Sequence, residues 1–569
     1  MTDSVAQAII AARQNNGIAQ TINIDQYPNL LAMLDAAIKT YPGRPAYTSF
    51  GQTITYDELD NLADQFADYL HNQLQAQPGD RIAIQLPNVI QYPVVLFGAM
   101  RAGMIIVNTN PLYTPHEVEH QLNDSGAIAL VVLANVAHNA AAIIEKTAVK
   151  KVIVTELADL NRAPKRWLIN SVVRYIKQLV PPFHFASSIG FREALALGTK
   201  RQYPELNPDK DGTAVLQYTG GTTGVAKGAM LTHRNLMANA LQGVEMFASY
   251  GFRDGEEVML LPLPLYHIYS FTLSMVMMMG GNHCVLIPNP RDIKSLIKDM
   301  KHYPMTAFSG LNTLFVALMK SPDFLSIDFS RLKMTLSGGM ALTQDTAHQW
   351  QRLTNSAIYE GYGLTETSPV ISVNPGTGNQ IGTIGVTVSS TEVKIIGDSV
   401  NGGVGEEMPV GERGELFVRG PQVMKGYWQR PDETHNVLSG DGWLATGDIA
   451  IVQPNGYIRI VDRKKDVIIV SGFNVYPNEV EDAISKHPDI VQCAAIGIPN
   501  DKTGEAVKLF VVSSRKTLTE KEIIDFAHQE LTGYKIPHHI EFRDDLPKSN
   551  VGKILRKDLR AEELKKTKS

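Results

Sequence analysis

The stretch that decides the fold is YTGGTTGVAKGA, residues 218–229. Its glycines permit positive φ angles, so consecutive backbone N–H groups can converge on an anion. Hydroxyl donors and one positive charge complete a set that suits the phosphates of a nucleoside triphosphate. The residues concerned are Tyr218, Thr219, Gly220, Gly221, Thr222, Thr223, Gly224 and Lys227. A Walker A loop needs glycine directly before the lysine, and Ala226 stands there instead. Taken alone, the stretch could also be a polar surface turn.

Further motifs follow in a fixed order. They are PLPLYHIYS (262–270), SGGMAL (337–342), YEGYGLTETSP (359–369), GWLATGD (442–448), VDRKKDVIIVSGFNVYPNEVE (461–481) and LPKSNVGKILRKDLR (546–560). Together with the first stretch they resemble the adenylate-forming superfamily of acyl-CoA synthetases, peptide-synthetase adenylation domains and luciferases. The resemblance covers nearly the whole chain. Residues 91–126, QYPVVLFGAMRAGMIIVNTNPLYTPHEVEHQLNDSG, resemble the bacterial long-chain-fatty-acid–CoA ligases most closely.

Composition limits the class of protein. The chain has 569 residues, which predicts two or more domains. A net charge of −5 argues against a nucleic-acid binder. Cys284 and Cys493 lie far apart, which favours a reducing compartment and offers no zinc site. The N-terminus does not read as a signal peptide, and the apolar run near 273–281 is too short to span a bilayer. We therefore predict a cytoplasmic protein whose membrane contact, if any, is peripheral.

The order of apolar runs predicts an α/β fold. Strand-like runs at 81–88, 104–110, 128–135 and 151–157 alternate with helical patterns, which implies parallel sheets covered by helices. Shorter β segments at 414–420 and 456–463 predict a distorted β subdomain. We expect a large N-terminal domain, 1–461, and a small mobile α+β domain, 467–569, joined by a hinge at 462–466.

The resemblance implies a reaction in two halves. A carboxylate attacks the α-phosphate of ATP to give an acyl-adenylate and pyrophosphate, and coenzyme A then displaces AMP. It assigns the phosphates to the 218–227 stretch, Mg²⁺ to Thr219 and Glu366, and the ribose to Asp448 and Arg463. The remaining nucleotide contacts that it implies are Gly338, Gly339, Met340, Glu360, Gly361, Tyr362, Gly363 and Thr365. Tyr362 could equally be a core aromatic, Glu366 a solvated loop carboxylate and Asp448 a turn former.

Lys553, His267 and Glu366 are the catalytic residues that the resemblance implies. Lys553 would stabilise charge on the reacting carboxylate and α-phosphate. The alternative is a solvated lysine, because other basic residues surround it in the sequence. The small domain is expected to rotate about Lys465 between the two halves. The loop with Gly472, Phe473 and Asn474 would then face the pantetheine tunnel. His267 would border the carboxylate pocket, or be a structural core histidine.

The acid that is activated is predicted to be apolar. No acidic residue occurs between Pro262 and Gly281, so an ammonium-bearing substrate would be buried without a partner. The Met-rich run 270–281 is typical of either a tunnel wall or a packed helix. Phe271 matches the aromatic gate of long-chain relatives, which often carry Trp there. We therefore predict long-chain fatty acids, with medium-chain or aryl acids as the alternative substrates.

Residues 164–185 carry a pattern suited to a membrane surface. Leu168, Val172, Tyr175, Ile176 and Leu179 fall on one helical face, and no acid occurs from Asp159 until Glu193. The alternative is a helix packed on its own domain. The predicted partners are fatty acid, ATP and CoA, with peripheral contact to the inner membrane face and a homodimer as further predictions. A non-catalytic nucleotide-binding relative is the rival of another class.

Overall fold

The computed structural model describes residues 4–199, 202–219, 226–397, 405–471, 473–500, 502–549 and 552–568. The loop residues Gly220, Gly221, Thr222, Thr223 and Gly224 and the tunnel residue Gly472 lie outside these ranges. The strands are β1 (Pro45–Ser49), β2 (Gln52–Thr55), β3 (Arg81–Gln85), β4 (Ile105–Asn108), β5 (Ala129–Leu133), β6 (Lys151–Thr155), β7 (Ser188–Gly190), β8 (Thr213–Thr219), β9 (Lys227–Thr232), β10 (Val258–Leu261), β11 (His283–Leu286), β12 (Ala307–Gly310), β13 (Met334–Ser337), β14 (Ile358–Gly363), β15 (Val370–Val373), β16 (Val386–Thr387), β17 (Glu392–Ile396), β18 (Arg413–Arg419), β19 (Leu444–Val452), β20 (Ile458–Arg463), β21 (Ile468–Val470), β22 (Phe473–Val475), β23 (Ile490–Asn500), β24 (Gly504–Ser513) and β25 (His539–Phe542).

Helices cover the faces of these sheets. They are α1 (Val5–Asn15), α2 (Leu30–Thr40), α3 (Tyr56–Asn72), α4 (Gln91–Arg101), α5 (Pro115–Ser125), α6 (Ala137–Ala141), α7 (Lys165–Ser171), α8 (Phe191–Leu197), α9 (His233–Ala248), α10 (Ile268–Met279), α11 (Ile293–His302), α12 (Asn312–Met319), α13 (Gln344–Thr354), α14 (Pro431–His435), α15 (Pro477–Ile484), α16 (Glu520–Glu530) and α17 (Arg556–Lys568). Local sequence explains many of their ends. Helix α5, for example, begins at a capping box between Thr114 and Glu117 and ends at Gly126, whose φ is 61°.

The first sheet has seven strands in the order β7-β6-β5-β3-β4-β8-β9. Its neighbours are parallel except for β8 and β9, which form an antiparallel hairpin. Strands β3 to β6 confirm the four strands that the apolar runs predict. Each is almost wholly buried, because helices cover both faces of a parallel sheet.

The second sheet has nine strands in the order β16-β15-β14-β13-β12-β10-β11-β1-β2. The strands from β14 to β1 run parallel, and antiparallel strands complete both edges. Strands β13 and β14 are parallel neighbours, so the SGGMAL and YEGYG segments lie side by side at the carboxyl ends of the two strands. Ligands bind outside the carboxyl ends of the strands in open α/β sheets.

The third sheet is the predicted β subdomain. It is antiparallel, in the order β17-β18-β19-β20. In its last pair, the hairpin of β19 and β20, Asp448 lies opposite Arg463. The register of this sheet therefore creates the pair that the resemblance assigns to the ribose.

The C-terminal unit has a sheet and a core of its own. The order is β22-β21-β24-β23, with β25 pairing parallel to β24. Its core includes Ile468, Val480, Leu509 and Ile523. Strand β20 ends at Arg463, and a 3₁₀ turn, Lys464–Asp466, precedes β21. The predicted hinge lies at this junction, and the domain limits themselves stay a prediction.

Within the described ranges, every helix is too short or too polar to cross a membrane. Cys284 and Cys493 are buried free thiols. Burial raises the pKa of both, to about 12 for Cys493. They therefore behave as small apolar side chains.

Candidate active site

The β8–β9 hairpin sets the two ends of the phosphate loop. Thr219 ends β8 and pairs in register with Lys227, which begins β9. The five loop residues between them that were predicted to bind ATP lie outside the described residues. The structure therefore places the threonine hydroxyl and the lysine charge at the mouth of this loop.

Tyr218 precedes Thr219 at the end of β8 and is held in place by its hydroxyl group. Its ring is buried, and its hydroxyl donates a hydrogen bond of 2.7 Å to Asp124. The same carboxylate accepts from Arg430 at 2.9 Å, and the backbone oxygen of Asp124 accepts from Trp428 at 3.1 Å. Tyr218 is thus tied into the protein through its hydroxyl. The sequence did not single out Asp124, Trp428 or Arg430.

Lys227 and Glu366 meet at one aromatic ring. The Lys227 Nζ lies 5.3 Å from the centre of the Tyr427 ring, and the Tyr427 hydroxyl donates to Glu366 at 2.6 Å. Lys227 also forms an ion pair with Glu433 on α14. Tyr427 and Glu433 were missed by sequence reasoning. The signal that could have found them is GYWQRPDET, a turn-forming run beside β9, since the backbone of Tyr427 bridges to Ala229.

Three of the predicted nucleotide-binding residues form a compact polar cluster. The Tyr362 hydroxyl donates to Asp448 Oδ2 at 2.5 Å, and Arg463 Nε lies 3.1 Å from Asp448 Oδ1. Asp448 is only 3 % exposed, so its charge is held by these two partners. Burial and the neighbouring carboxylate raise the pKa of Tyr362 well above its usual value. The structure thus brings all three predicted residues together.

Two glycines in this region are required by geometry. Gly339 has a φ of +84°, which L side chains rarely adopt, and it follows β13 directly after Gly338. A Cβ on Gly363 would lie 1.9 Å from the carbonyl oxygen of Pro369. Both glycines, with Gly361 and Thr365, line the cavity described below. Met340 is half-buried in the same loop.

Glu360, on β14, has a carboxyl group with a raised pKa. Burial raises the pKa of its carboxyl to about 8, helped by Asp482, while a 3.1 Å hydrogen bond from the backbone N–H of Leu342 acts in the opposite direction. Asp482 lies on the C-terminal unit, so the two units approach each other here.

Lys553 reaches the same site from the C-terminal unit. Burial and the positive charge of Arg463 lower the pKa of Lys553 to about 8. Burial lowers the pKa of His267 to about 4, and the charge of Lys553 adds to this effect. The Lys553 ammonium therefore acts electrostatically on His267 and on the Asp448–Arg463 pair. These groups come from three separate parts of the chain.

The basic residues around Lys553 have other tasks. Arg556 contacts Glu481 at 2.6 Å, Asp462 at 3.3 Å and Asp466 at 3.5 Å. Arg560 contacts Asp466 at 2.7 Å. The two arginines join the last helix to the hinge segment through ion pairs. This structural contact distinguishes them from Lys553. Lys553 itself is half-buried, and its catalytic role stays a prediction.

The predicted hinge residue lies in the turn that follows Arg463, and the described tunnel residues lie on β22. Lys465 sits in the 3₁₀ turn, where burial and Arg463 lower its pKa to about 8. Phe473 and Asn474 lie on β22 and are exposed. The Phe473 ring stacks on Tyr534 with 4.9 Å between centroids. In this arrangement the structure does not bring β22 to the nucleotide residues, and the tunnel role stays a prediction.

An apolar cavity runs from this site into the N-terminal unit. The space in it, counted together with the open solvent at its mouth, is about 760 Å³. His267, Gly338 and Tyr362 line one part, and helices α9 and α10 contribute Phe247 and Val276. A tunnel wall and a packed helix were the alternatives for residues 270–281. Helix α10 has features of both, because it is buried in the core and one of its faces borders the cavity.

Phe271 does not border this cavity. It is 1 % exposed and packs in the core, while α10 presents Thr272, Leu273 and Val276 to the cavity. One residue along a helix turns the side chain by about 100°, which moves Phe271 off the cavity face. The lining of this cavity therefore gives no support to an acyl gate at Phe271, and that role stays a prediction.

The chain belongs to the AMP-binding enzyme family. The family pattern matches residues 34–428, and that of the AMP-binding enzyme C-terminal domain matches residues 479–553. The chain is 50% identical over 548 residues to the long-chain-fatty-acid–CoA ligase of Escherichia coli O6:H1, covering 95% of this chain and 96% of that one. It is 47% identical to that of Haemophilus influenzae, covering 97% of both. The crystal structure of ATP-bound MatB from Rhodopseudomonas palustris superposes with a TM-score of 0.81 at 28% identity, covering 94% of this chain and 99% of that one.

Proposed function

We propose that this chain converts long-chain fatty acids into acyl-CoA through an acyl-adenylate, releasing AMP and pyrophosphate. The observation that supports this most is that His267 and Tyr362 line one apolar cavity and that Tyr362 donates to Asp448 of the Asp448–Arg463 pair. The charge of Lys553 lowers the pKa of His267, so it acts on the same site. The relatives of about 50% identity are ligases of this kind. The alternative of a non-catalytic relative is disfavoured, since every charged residue that the chemistry needs is present.

In the first half-reaction the fatty-acid carboxylate attacks the α-phosphorus of ATP. A bond forms between a carboxylate oxygen and the α-phosphorus. The bond from the α-phosphorus to the oxygen that bridges it to the β-phosphorus breaks, and pyrophosphate leaves with the electron pair. Bringing an anion to a polyanion requires positive charge more than acid–base chemistry. Lys553 supplies that charge at the reacting oxygens, and Lys227 supplies it at the terminal phosphates. Asp448 fixes the ribose, and its partners Tyr362 and Arg463 hold it in place.

In the second half-reaction the sulfur of CoA attacks the acyl carbonyl carbon. The C–S bond forms, the C–O bond to AMP breaks, and the thiol proton passes to solvent. His267 borders the cavity beside this carbon, and it is neutral at pH 7 because its pKa is about 4. A neutral imidazole adds no second cation beside Lys553. We propose that the C-terminal domain, 467–569, rotates about Lys465 in the hinge 462–466 between the halves. The N-terminal domain, 1–461, keeps the adenylate, and Phe473 and Asn474 then border the CoA tunnel.

Mg²⁺ is the metal that this nucleotide chemistry uses. The residues present fit it: one carboxylate oxygen of Glu366 accepts a hydrogen bond from the Tyr427 hydroxyl, and the other has no hydrogen bond to a described residue. Thr219 provides a hydroxyl at the mouth of the loop. Mg²⁺ on ATP needs few protein ligands, so Thr219 and Glu366 suffice, and the ion would neutralise phosphate charge.

The cavity supports an apolar acyl group as the substrate. Its inner end is formed by Met246, Phe247, Leu273 and Val276, none of which carries a charge. A carboxylate at the mouth and an alkyl chain inside match this division of charge. An aryl or medium-chain acid would fill less of the cavity and bury less apolar surface.

Three further properties belong to this proposal. The enzyme works in the cytoplasm, it contacts the cytoplasmic face of the plasma membrane peripherally, and it forms a homodimer. The apolar substrate supports the membrane contact, because long-chain acids partition into membranes. Sedimentation velocity measures the homodimer directly.

The decisive experiment is pyrophosphate release with saturated acids of increasing length, with and without CoA. We expect strong turnover with long acids only when CoA is present. Release that does not depend on CoA would indicate another acceptor for the adenylate. No release with any acid would contradict the proposed activity.

A further inference from the structure

One helical segment presents its apolar side chains to solvent. Helix α7 and the π-helical turn Val172–Ile176 contain no buried residue among them. The exposed fractions are 61 % for Trp167, 66 % for Leu168, 72 % for Tyr175, 74 % for Ile176 and 52 % for Leu179. We call these five side chains the outer apolar surface. Their exposure rules out a helix packed on its own domain through this face.

The polar side of the segment holds it on the protein. Asn170 donates to Asp159 at 3.2 Å and accepts from the backbone N–H of Ala158 at 3.0 Å. One turn later, Arg174 donates to Glu156 at 2.9 and 2.5 Å. Residues four apart share a helix face, so a polar face points inward and the apolar face outward. A surface helix of a globular protein has the reverse arrangement.

Positive charge surrounds the outer apolar surface. Arg174 is engaged with Glu156, and Arg162 lies 3.5 Å from Glu58. Within the described ranges, Lys165, Arg166 and Lys177 make no ion pair. The sequence has no acid between Asp159 and Glu193. Exposed apolar side chains ringed by basic ones are typical of a helix that lies in a membrane interface.

Charge also decides between two occupants of this surface. A second copy of the chain, related by a twofold axis, would place the same basic residues against each other. Anionic lipid headgroups would instead be complementary to them. The whole chain carries a net charge of −5, so attraction to an anionic membrane has to come from a local patch.

We propose that the outer apolar surface docks on an anionic lipid bilayer. Trp167, Leu168 and Ile176 enter the boundary between headgroups and acyl chains, while Lys165, Arg166 and Lys177 contact anionic headgroups. The benefit of such docking rests on the proposed function, because long-chain acids partition into membranes. The docking itself is independent of turnover.

Vesicle flotation tests the docking. The full chain is mixed with vesicles of phosphatidylcholine alone or with about one third phosphatidylglycerol, at low and high salt. We expect binding to the anionic vesicles that falls with salt. The triple variant Lys165→Glu/Arg166→Glu/Lys177→Glu and the double variant Leu168→Ser/Ile176→Ser should each lose roughly tenfold or more in partitioning.

Matched variants elsewhere on the surface serve as controls. Lys294, Lys298 and Lys301 are exposed on α11, so Lys294→Glu/Lys298→Glu/Lys301→Glu changes the net charge equally. Leu325 and Leu353 are 68 % and 40 % exposed, and Leu325→Ser/Leu353→Ser removes equivalent apolar groups. Both controls should bind like the parent chain. Equal losses in controls and test variants would overturn the proposal.

Trp167 reports insertion directly. The other tryptophans are buried or half-buried, at positions 350, 428 and 443. Anionic vesicles should shift the emission to the blue, brominated lipids should quench it, and Trp167→Phe should remove both effects without preventing flotation. An unchanged spectrum during flotation would overturn the proposed surface.

Two further measurements separate the alternatives. Turnover of octanoate, which needs no membrane, shows that the variants are folded and tests the ligase activity separately from docking. Sedimentation equilibrium tests the second copy as the occupant. A dimer dissociated by Leu168→Ser/Ile176→Ser, with vesicle binding unchanged, would contradict a lipid partner.

Discussion

Lys227 and Glu433 form an ion pair across 206 residues of sequence. Lys227 is the cation at the mouth of the phosphate loop, and its ammonium also lies 5.3 Å from the Tyr427 ring centre. In the proposed function Lys227 binds the terminal phosphates, so an incoming triphosphate would compete with the Glu433 carboxylate for this charge. We therefore expect the affinity for ATP to depend on α14 as well as on the glycine-rich stretch.

Glu433→Gln should strengthen ATP binding. Partly exposed ion pairs contribute about 0.2–1 kcal/mol, so the KM for ATP should fall by roughly 1.5- to 5-fold with little change in kcat. Steady-state kinetics of pyrophosphate release measures both constants. Asp432→Asn, an exposed neutralisation on the same helix, should leave the KM unchanged. A higher KM in Glu433→Gln would mean that Glu433 assists nucleotide binding.

Lys553 should impose an alkaline limit on adenylation. Burial and Arg463 lower its pKa to about 8, and only the charged form stabilises the reacting anions. The rate should therefore be high below this pH and fall as pH rises through it. Lys553→Ala should cost about 10²–10³ in rate, or about 2.7–4 kcal/mol. Lys553→Arg, whose charge does not titrate in this range, should lose the alkaline fall from its remaining activity.

The hinge proposal predicts that the two half-reactions can be separated. Lys465→Pro fixes φ at one end of the 3₁₀ turn, which restricts the rotation needed for CoA attack. Adenylate formation should persist, while thioester formation should be abolished. Single-turnover assays with radiolabelled fatty acid resolve the two products. Equal loss of both would contradict a hinge at this position.

Arg556 should stabilise the junction between the two domains more than its neighbour Lys557 does. Arg556→Met leaves Asp462, Asp466 and Glu481 near one another without their shared cation, which destabilises the hinge junction. We expect lower adenylation activity and faster proteolysis between the domains. Lys557→Met, an exposed substitution, is the control and should behave like the parent chain. Similar protease sensitivity in both variants would argue against this cluster as a clamp.

The width of the acyl cavity should depend on a contact between α9 and α10. A Cβ on Gly243 would lie 2.5 Å from Val276 Cγ2, so Gly243→Ala narrows the cavity and should favour shorter acids. Val276→Ala should shift the preference toward longer or bulkier acids. A panel of acids measures the profile. Phe271→Ala tests the predicted gate separately. Because Phe271 is buried, its loss should cost about 3–5 kcal/mol of stability, and an unchanged profile would contradict a gate at this position.

Much of the site could be predicted from short motifs. Asp448, Tyr362 and Lys553 each sit in a run with its own turn or strand pattern, and the resemblance assigned their roles. The parallel strands β3 to β6 were equally clear, because wholly apolar runs separated by helical patterns leave few other folds. These features are encoded locally, within about twenty residues of each position.

Other features depended on contacts between distant segments. Sequence reasoning assigned no role to Asp124, Tyr427 or Glu433. The fold brings them to Tyr218 and Lys227, at the two ends of the glycine-rich loop. Phe271 and Val276 occupy the same apolar helix, and only the packing of α10 against α9 decides which of them borders the cavity. Both Arg556 and Lys553 looked alike as basic residues in one motif. The acids of the hinge distinguish them.

The sequence by itself determined the order of strands and helices, the nucleotide motifs and the apolar character of the substrate. Those properties follow from the period of apolar residues and from the chemistry of neighbouring side chains. The tertiary structure decided which charges are paired, which side chains border the cavity and that the segment from Lys165 to Ile176 turns its apolar face outward. A periodic pattern defines the faces of a helix, but which face is buried depends on the partner against which the helix packs.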